Sequence, residues 1–304
     1  MRHLIVRLLR SIIVLFGVVA FVFVLMRMAP GDPITMMAGP TADPATVESL
    51  RSSLGLDRPL SVQLIIFLGN FVRGDLGDSL VSQSPVIDLI LRALPQTIYL
   101  SACALLVAIL IAVPAGIWSA LRPGSLGDRA AEAMILAAQS LPAFWISIIL
   151  IYFFAVKLGW LPSSGNETWS AVILPAFTLS IFQLPLLTRT VRSTTLSIAS
   201  QDYVKAAFAK GLSTPRILGA YVFMNMLVPI TTVIALQAGT MLSGAVVTEA
   251  VFAWPGLGTL AMSSLLARDY PMVQAIVLFS ASIVILLNIA ADAVSVILDP
   301  RLRD

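Results

Sequence analysis

Charged residues are scarce in this sequence. Asp, Glu, Lys and Arg make up only 12% of its 304 residues, whereas 58% of the residues are hydrophobic. A water-soluble domain carries about 25% charged residues. The chain therefore has too little polar surface to cover a soluble globule, and its composition predicts a membrane protein.

Cysteine and histidine each occur once. Cys103 lies in an apolar run, which excludes a disulfide framework and a cysteine-built metal site. His3 lies at the N-terminus, and no metal site is expected. An intramembrane hydrolase needs a base close to its nucleophile. No histidine or lysine lies deep in an apolar stretch, which argues against that class.

The nucleotide-binding pattern G-x-x-x-x-G-K-[ST] does not occur either. A loop of that kind is needed to cradle nucleotide phosphates. No cofactor is therefore expected in this chain, and ATP would have to act on a partner.

Six stretches without Asp, Glu, Lys or Arg predict membrane spans, each of which needs about 20 mostly apolar residues. They cover residues 11–26, 93–121, 133–156, 168–188, 217–248 and 270–291. The first is short, but Arg10 and Arg27 can extend their charges to the two interfaces. It is expected to remain as an anchor because no small-x-small cleavage site follows it. A further apolar stretch, 59–72, has 14 residues and predicts an interfacial or re-entrant helix. The sequence thus predicts an all-α membrane protein with six transmembrane helices.

Basic residues are unevenly distributed over the segments that join these stretches. With a cytoplasmic N-terminus, 12 of the 19 Lys and Arg residues fall on the cytoplasmic side. Basic residues favour that side, so both termini are predicted to be cytoplasmic. Residues 29–92 then form an outside segment, in which Asp43 before Pro44 predicts the start of a short helix.

The cytoplasmic loop 189–216 has the clearest local pattern. Ser200 is predicted to cap a helix that carries Asp202 in its first turn, and Gly211 suits the position just after its end. Thr214-Pro215 then predicts the start of a second helix. One face of the short helix holds Tyr203, Ala206, Ala207 and Lys210, whose small alanines would let a partner approach closely. Val204 and Phe208 are predicted to pack back on the bundle. An ordinary amphipathic helix on the membrane surface is the alternative.

Polar residues inside the predicted spans allow two interpretations. Gln139, Ser140, Gln183 and Gln237 could line a pathway for a polar solute, or could hold neighbouring helices together. Glu249 and Asp292 lie near the ends of the last two spans. A structural partner is favoured for Asp292 over contact with a substrate amine, because of its expected depth.

Several segments resemble the permease subunits of binding-protein-dependent ABC importers, specifically the dipeptide/oligopeptide/nickel group. QDYVKAAFAKGLS at 201–213 is similar to that group's EAA loop, although Lys205 stands where many such permeases have glutamate. NMLVPI at 225–230 is similar to the segment that closes the loop. Further matches are PGDP at 30–33, GDLGDS at 74–79, LGWLP at 158–162, ILP at 173–175, FAWPGLG at 252–258 and DPR at 299–301.

The resemblance implies the type I ABC importer fold and a subunit that is not itself an enzyme. It implies a second homologous permease, two ATPase subunits that bind ATP and Mg, and a periplasmic or lipid-anchored substrate-binding protein. The short helix would be the coupling helix, whose ATPase-docking residues would be Asp202, Tyr203, Lys205, Ala206, Ala207, Lys210 and Gly211.

The resemblance also implies a division of the chain. Residues 1–28 would be the cytoplasmic N-terminus and first span, and 29–92 a periplasmic segment with short helices. Residues 93–297 would form a five-helix core that contains the coupling loop 189–216, and 298–304 a cytoplasmic tail. The alternative function is that of an ATP-independent secondary transporter or channel. The solute stays open among a dipeptide, an oligopeptide, a glutathione-like compound, an opine and a nickel chelate.

Overall fold

The computed structural model describes residues 2–28, 34, 43–53 and 55–298. These residues are mostly α-helical, and among them the β-structure is a single antiparallel bridge between Asp78 and Pro85. The all-α prediction is confirmed for this part of the chain. The motifs at 30–33 and 299–301 lie outside the described residues, as do the side chains of Asn288 and Asp292.

One compact unit contains the described residues up to Gln96 together with Gly256–Ile285. Its helices are α1 (Arg2–Met28), α2 (Pro44–Ser53), α3 (Leu60–Val72), the start of α4 (Val86–Leu121), α12 (Leu257–Leu266) and the first part of α13 (Tyr270–Leu298). Helix α2 begins at the predicted proline, and α3 falls on the predicted short apolar stretch. The core of this unit forms because Val86, Ile90 and Ala93 share one face of α4 and pack against Met272 and Ile276 of α13.

A buried carboxylate fixes the loop that leads into α4. Asp269 precedes α13, and its Oδ1 accepts a hydrogen bond from the backbone N–H of Met272 at 3.4 Å. The same carboxylate accepts bonds from Ser79 Oγ at 2.5 Å and from Leu80 N at 3.1 Å. The predicted GDLGDS motif therefore ends on a residue that anchors its loop to the start of α13.

The second unit contains Thr97–Pro255 and the chain from Leu286 onward. After the rest of α4 come α5 (Leu126–Gln139), α6 (Ala143–Leu150), α7 (Ile173–Ala199), α8 (Asp202–Ala209), α9 (Thr214–Ile217), α10 (Met224–Gly244) and α11 (Val246–Val251). Two π-helical segments, Ile151–Lys157 and Leu218–Phe223, continue α6 and join α9 to α10. The core of this unit combines Leu100, Ala104, Leu179, Met241 and Trp254, which come from α4, α7, α10 and the chain after α11.

Three helical segments of the described chain are long and apolar enough to cross a membrane: Val86–Leu121, Trp169–Ala199 and Tyr270–Leu287. A fourth candidate is the pair Leu218–Leu227 and Pro229–Gly239, which is bent by 44°. Pro229 explains this bend, because proline lacks an N–H donor and its ring collides with the preceding turn of the helix. At 36 residues, α4 is about 54 Å long and exceeds a hydrocarbon core of about 30 Å.

The third predicted span does not form one continuous helix. The stretch 133–156 is divided between α5, which ends at Gln139, and α6, which begins at Ala143. Pro142 lies at the break with an extended backbone (φ −63°, ψ 140°) and starts the new helix. Within this predicted span, Pro142 therefore ends one helix and begins the next.

Candidate functional site

The predicted coupling loop contains the predicted short helix. Helix α8 covers Asp202–Ala209 and follows the end of α7 after two residues, Ser200 and Gln201. The predicted cap was wrong. Ser200 keeps a helical backbone and its hydroxyl donates to the carbonyl of Ser197 at 2.8 Å. Gln201 is extended (φ −71°, ψ 147°) and is the residue at which α8 starts.

The end of α8 confirms the predicted role of Gly211. This residue has a φ of +77°, which glycine adopts without steric cost. Its N–H donates to Phe208 O at 2.9 Å, and the next N–H, of Leu212, donates to Ala207 O at 3.3 Å. These two bonds form a Schellman motif. The motif turns the chain sharply, so that α9 begins at Thr214 as predicted.

The inner face of α8 is packed within the chain. Val204 and Ala207, which lie three residues apart, are buried and pack against Ile217 and Val222. Ala207 is only 3% exposed. Its assignment to the exposed docking face was therefore wrong, because the Schellman turn folds Leu212 and the following helix over it.

The outer face of α8 carries exposed aromatic rings next to charged side chains. Phe208 is 50% exposed and Tyr203 is 45% exposed. The prediction that Phe208 packs back on the bundle was wrong, whereas for Val204 it is confirmed. The ring of Tyr203 stacks on Tyr221 with centroids 6.5 Å apart, which fixes its orientation. Asp202 pairs with Lys205 at 3.0 Å, and the other predicted docking residues, Ala206, Lys210 and Gly211, are exposed.

The four uncharged polar candidates occupy different environments. Gln139 and Ser140 lie at the exposed junction of α5 and α6. The Ser140 hydroxyl donates to Leu136 O at 2.9 Å. Gln183 is half-buried on α7, and Gln237 is buried on α10. That these residues line a pathway stays a prediction.

Glu249 is fully buried on α11. Its Oε1 accepts a hydrogen bond from Thr97 Oγ1 on α4 at 2.7 Å. The sequence placed Glu249 near the end of a predicted span. The hydrogen bond gives it a structural role that connects α11 to α4.

An ion pair at the loop between α4 and α5 was missed by sequence reasoning. Arg192 Nη2 on α7 donates to Asp128 Oδ2 at 3.1 Å, and Arg192 Nε donates to Ser119 Oγ at 2.9 Å. Asp128 also accepts bonds from the Ser119 hydroxyl and from Gly124 N, and it is only 5% exposed. These two donors, together with Arg192, hold the pKa of Asp128 below the ordinary 3.8.

A local signal for this carboxylate was present in the sequence. Ser125 precedes α5, and its Oγ accepts a hydrogen bond from Asp128 N at 3.2 Å. The spacing S-x-x-D is a capping-box pattern, which predicts Asp128 in the first turn of a helix. The pattern contains nothing that indicates Arg192, which lies 64 residues further along the chain.

Known proteins resemble this chain in sequence and in architecture. The family model described as "Binding-protein-dependent transport system inner membrane component" matches residues 112–304. A companion model for the N-terminal part of such membrane components matches residues 1–101. The chain belongs to this family.

Two relatives span essentially the whole chain. The oligopeptide transport system permease protein AppB of Bacillus subtilis (strain 168) is 38% identical over 312 residues, covering 99% of each chain. The glutathione transport system permease protein GsiC of Escherichia coli O6:H1 is 37% identical over 303 residues, covering 100% of this chain and 99% of that one. A chain of the inward-facing MetNI methionine ABC transporter has a TM-score of 0.58 at 19% identity, covering 68% of this chain and 94% of that chain.

These likenesses identify a permease subunit of an ABC importer. The structural neighbour shows the type I importer permease fold. Membership of the family places the chain in the inner membrane as a multi-pass protein, and implies in general a partner permease, an ATPase and a substrate-binding protein. The predicted membership of the peptide/nickel family of ABC importer permeases is confirmed.

Proposed function

We propose that this permease imports peptides or related small solutes, and that α8 is the helix through which partner ATPases drive it. The names of the relatives, an oligopeptide permease and a glutathione permease, support this solute class. The observation that carries the docking role is the contrast between the two faces of α8: Val204 and Ala207 are packed inside, whereas Tyr203 and Phe208 are half exposed.

The docking surface consists of the exposed residues of the loop helix. An aromatic patch with charges at its rim is the composition expected of a protein interface. Phe208 replaces Ala207 in this surface because Ala207 is covered by the chain itself. The remaining members are Asp202, Tyr203, Lys205, Ala206, Lys210 and Gly211.

The contacts of the inner face allow α8 to transmit a displacement to the helices that follow it. Val204 and Ala207 contact Ile217 and Val222, which belong to the segment that leads into α10. When two ATPases close on ATP and Mg, each docked helix is displaced, and this contact carries the displacement toward α10. A second permease completes the pathway, and a periplasmic or lipid-anchored binding protein delivers the solute. Rocking of this kind occurs in about microseconds to milliseconds.

The proposed topology has six crossings with both termini in the cytoplasm. The interrupted pair α5–α6 and the bent pair around Pro229 supply crossings in addition to the continuous helices. Residues 1–28 then form the N-terminus and first crossing, 29–92 the periplasmic segment, 93–297 the core with the loop 189–216, and 298–304 the tail. Gln183, half-buried within α7, is the proposed contact for polar groups of the solute, whereas the buried Gln237 fits the alternative role of holding helices together.

Disulfide cross-linking tests the docking role. In a Cys103→Ser background, Ala206→Cys should cross-link to a cysteine introduced in the cognate ATPase, whereas Ala207→Cys, one residue away but buried, should not. Ala206→Trp should abolish uptake while leaving membrane insertion intact, because a bulky ring on the exposed face keeps the ATPase at a distance. Uptake by Ala206→Trp at the wild-type level would rule the docking surface out.

Reconstitution tests the solute and the energy source. The permease, purified with the ATPases and second permease that accompany it, is placed in liposomes with its binding protein. Labelled dipeptide, pentapeptide and glutathione serve as probes. We expect uptake of at least one probe that requires both ATP and the binding protein. Uptake without ATP would instead identify a secondary transporter or channel.

A further inference from the structure

Arg192 lies close to the coupling helix along the chain. It is seven residues before the end of α7 at Ala199, a distance of about 10 Å along the helix axis. The two residues between α7 and α8 are bonded back to the last turn: Ser200 N donates to Leu196 O at 3.1 Å, and Gln201 N donates to Ile198 O at 3.1 Å. A displacement of α8 therefore reaches Arg192 without a flexible linker.

The guanidinium of Arg192 joins α7 to two other elements. Its Nε and Nη2 donate to Ser119 at the end of α4 and to Asp128 at the start of α5. Asp128 and Ser119 are both buried and are also bonded to each other. The planar fork of arginine can reach two such acceptors at once, whereas the point charge of lysine cannot.

Helix α7 is also held against α4 by close packing at the same level. A Cβ atom on Gly116 of α4 would lie 2.6 Å from Val191 Cγ1 and 2.9 Å from Thr188 O. Val191 is fully buried. Because α7 cannot separate from α4 here without breaking these contacts, a movement of α7 must be shared by α4 and α5.

We propose that Arg192 is a positioning residue that passes the movement of α8 to α4 and α5 through Ser119 and Asp128. This inference rests on the docking role of α8 proposed above. While the connection is intact, the helices of the second unit move together, and solute passes once for each ATPase cycle. Without it, the ATPases still close on α8, but the movement is only partly transmitted to α4 and α5. The expected defect is therefore in coupling rather than in assembly or in ATP hydrolysis.

The ratio of solute imported to ATP hydrolysed tests this role in the reconstituted importer, with whichever probe of the panel is taken up. Arg192→Met should keep ATP hydrolysis and lower the ratio by about five-fold or more, the lower end of usual coupling effects. Arg192→Lys, which keeps the charge but loses the fork, should give an intermediate ratio. Arg189→Met is the matched control, because Arg189 lies one turn earlier on α7 and borders the same cavity of about 280 Å³. Its ratio should be unchanged.

Assembly is measured in parallel by the amount of complete complex recovered. If Arg192→Met does not assemble, Arg192→Lys and Asp128→Asn decide the question by the same ratio. A wild-type ratio of solute to ATP in the variants that assemble overturns the proposal. Loss of assembly in Arg192→Met, Arg192→Lys and Asp128→Asn alike also overturns it. The docking role is judged separately. If Ala206→Trp abolishes uptake while Arg192→Met keeps the ratio, only the inference about Arg192 fails. If Ala206→Trp has no effect, the docking role itself fails.

Discussion

At the scale of single residues, Asp128 shows how a charge is kept inside this protein. Its carboxylate accepts bonds from a hydroxyl, a backbone N–H and a guanidinium, and is almost completely buried. A buried charge is tolerated when its hydrogen bonds are satisfied in this way. Sequence reasoning recognised Arg192 only as one of the basic residues of the cytoplasmic side. Its partner could not be found, because a contact across 64 residues leaves no trace in local spacing.

The lowered pKa of Asp128 predicts a pH dependence of stability. A carboxylate whose pKa is depressed on folding stabilises the folded state above its unfolded pKa, and this contribution is lost as the pH falls through the folded value. Asp128→Asn should therefore lower the melting temperature in detergent by an amount that is constant from pH 8 to about pH 5. The difference from wild type should shrink only below the ordinary pKa of 3.8. Glu132 and Arg189, which line the same cavity, are present in both proteins and cancel in the comparison. A difference that shrinks between pH 7 and 5 would contradict the assignment.

The close contacts of Gly116 predict the effect of adding a methyl group at this position. Gly116→Ala should destabilise the protein by about 1–3 kcal/mol, because the added methyl group overlaps buried neighbours on α7. Gly69→Ala on α3 is the control, since a Cβ there meets no atom within 4 Å. Removing a helical glycine at an open position should stabilise by up to about 1 kcal/mol. Both effects are measured as melting temperatures. Gly116→Ala should melt below the wild type, and Gly69→Ala at or above it. Equal melting temperatures for the two variants would show that α4 and α7 are not closely packed.

At the scale of elements, the coupling loop separates what sequence determines from what packing determines. The end of α8 follows from Gly211 and the start of α9 from the Thr214-Pro215 pair, residues with strong local preferences, and both were predicted. Which face of α8 is covered depends on where the chain goes after the turn. The alanine pair could not settle this, because Ala206 and Ala207 are alike in size and only one of them lies under Leu212. Pro142 likewise ends α5 within a stretch whose hydropathy alone predicts one span.

The left-handed conformation of Gly211 in the Schellman turn predicts the effect of replacing this residue. Gly211→Ala should lower uptake several-fold, because an L-residue in the left-handed conformation costs about 1–2 kcal/mol, which favours other orientations of α8. Space is available at this position, so the effect is conformational rather than steric. Gly211→Asn should be milder because asparagine tolerates that conformation. Uptake assays with matched membrane levels distinguish the two variants. Identical uptake by both variants would show that the turn does not hold α8 in place.

At the scale of the whole molecule, sequence predicted the family and the helical class, which are confirmed, and six crossings, which stay a prediction. Eight segments in order identify a related chain, and hydropathy identifies long continuous spans such as α4. Hydropathy does not indicate where a backbone bends. Length and composition alone therefore do not establish whether the interrupted helices around Pro142 and Pro229 each cross the membrane. The proposed six crossings and cytoplasmic termini are therefore a matter for direct measurement.

Thiol labelling in intact cells tests the orientation. In the Cys103→Ser background, Ser164→Cys, in the exposed loop before α7, should react with a membrane-impermeant maleimide added outside. Ala209→Cys, which is exposed on α8, should react only after the membrane is permeabilised. The two sites are separated by a single long helical segment, Trp169–Ala199, so opposite labelling shows that it crosses the bilayer. Labelling of both sites from outside would place the coupling loop in the periplasm and exclude the proposed docking.

The half-exposed rings of Tyr203 and Phe208 bear on how cells must make this subunit. Because α8 is the proposed docking site of the ATPases, these rings are apolar surface that stays uncovered before assembly, and such surface promotes aggregation. A permease synthesised ahead of its ATPases would present that surface until they arrive. Its steady-state level in the membrane should therefore fall when the ATPases are absent, which makes balanced production of the subunits a requirement of the fold itself.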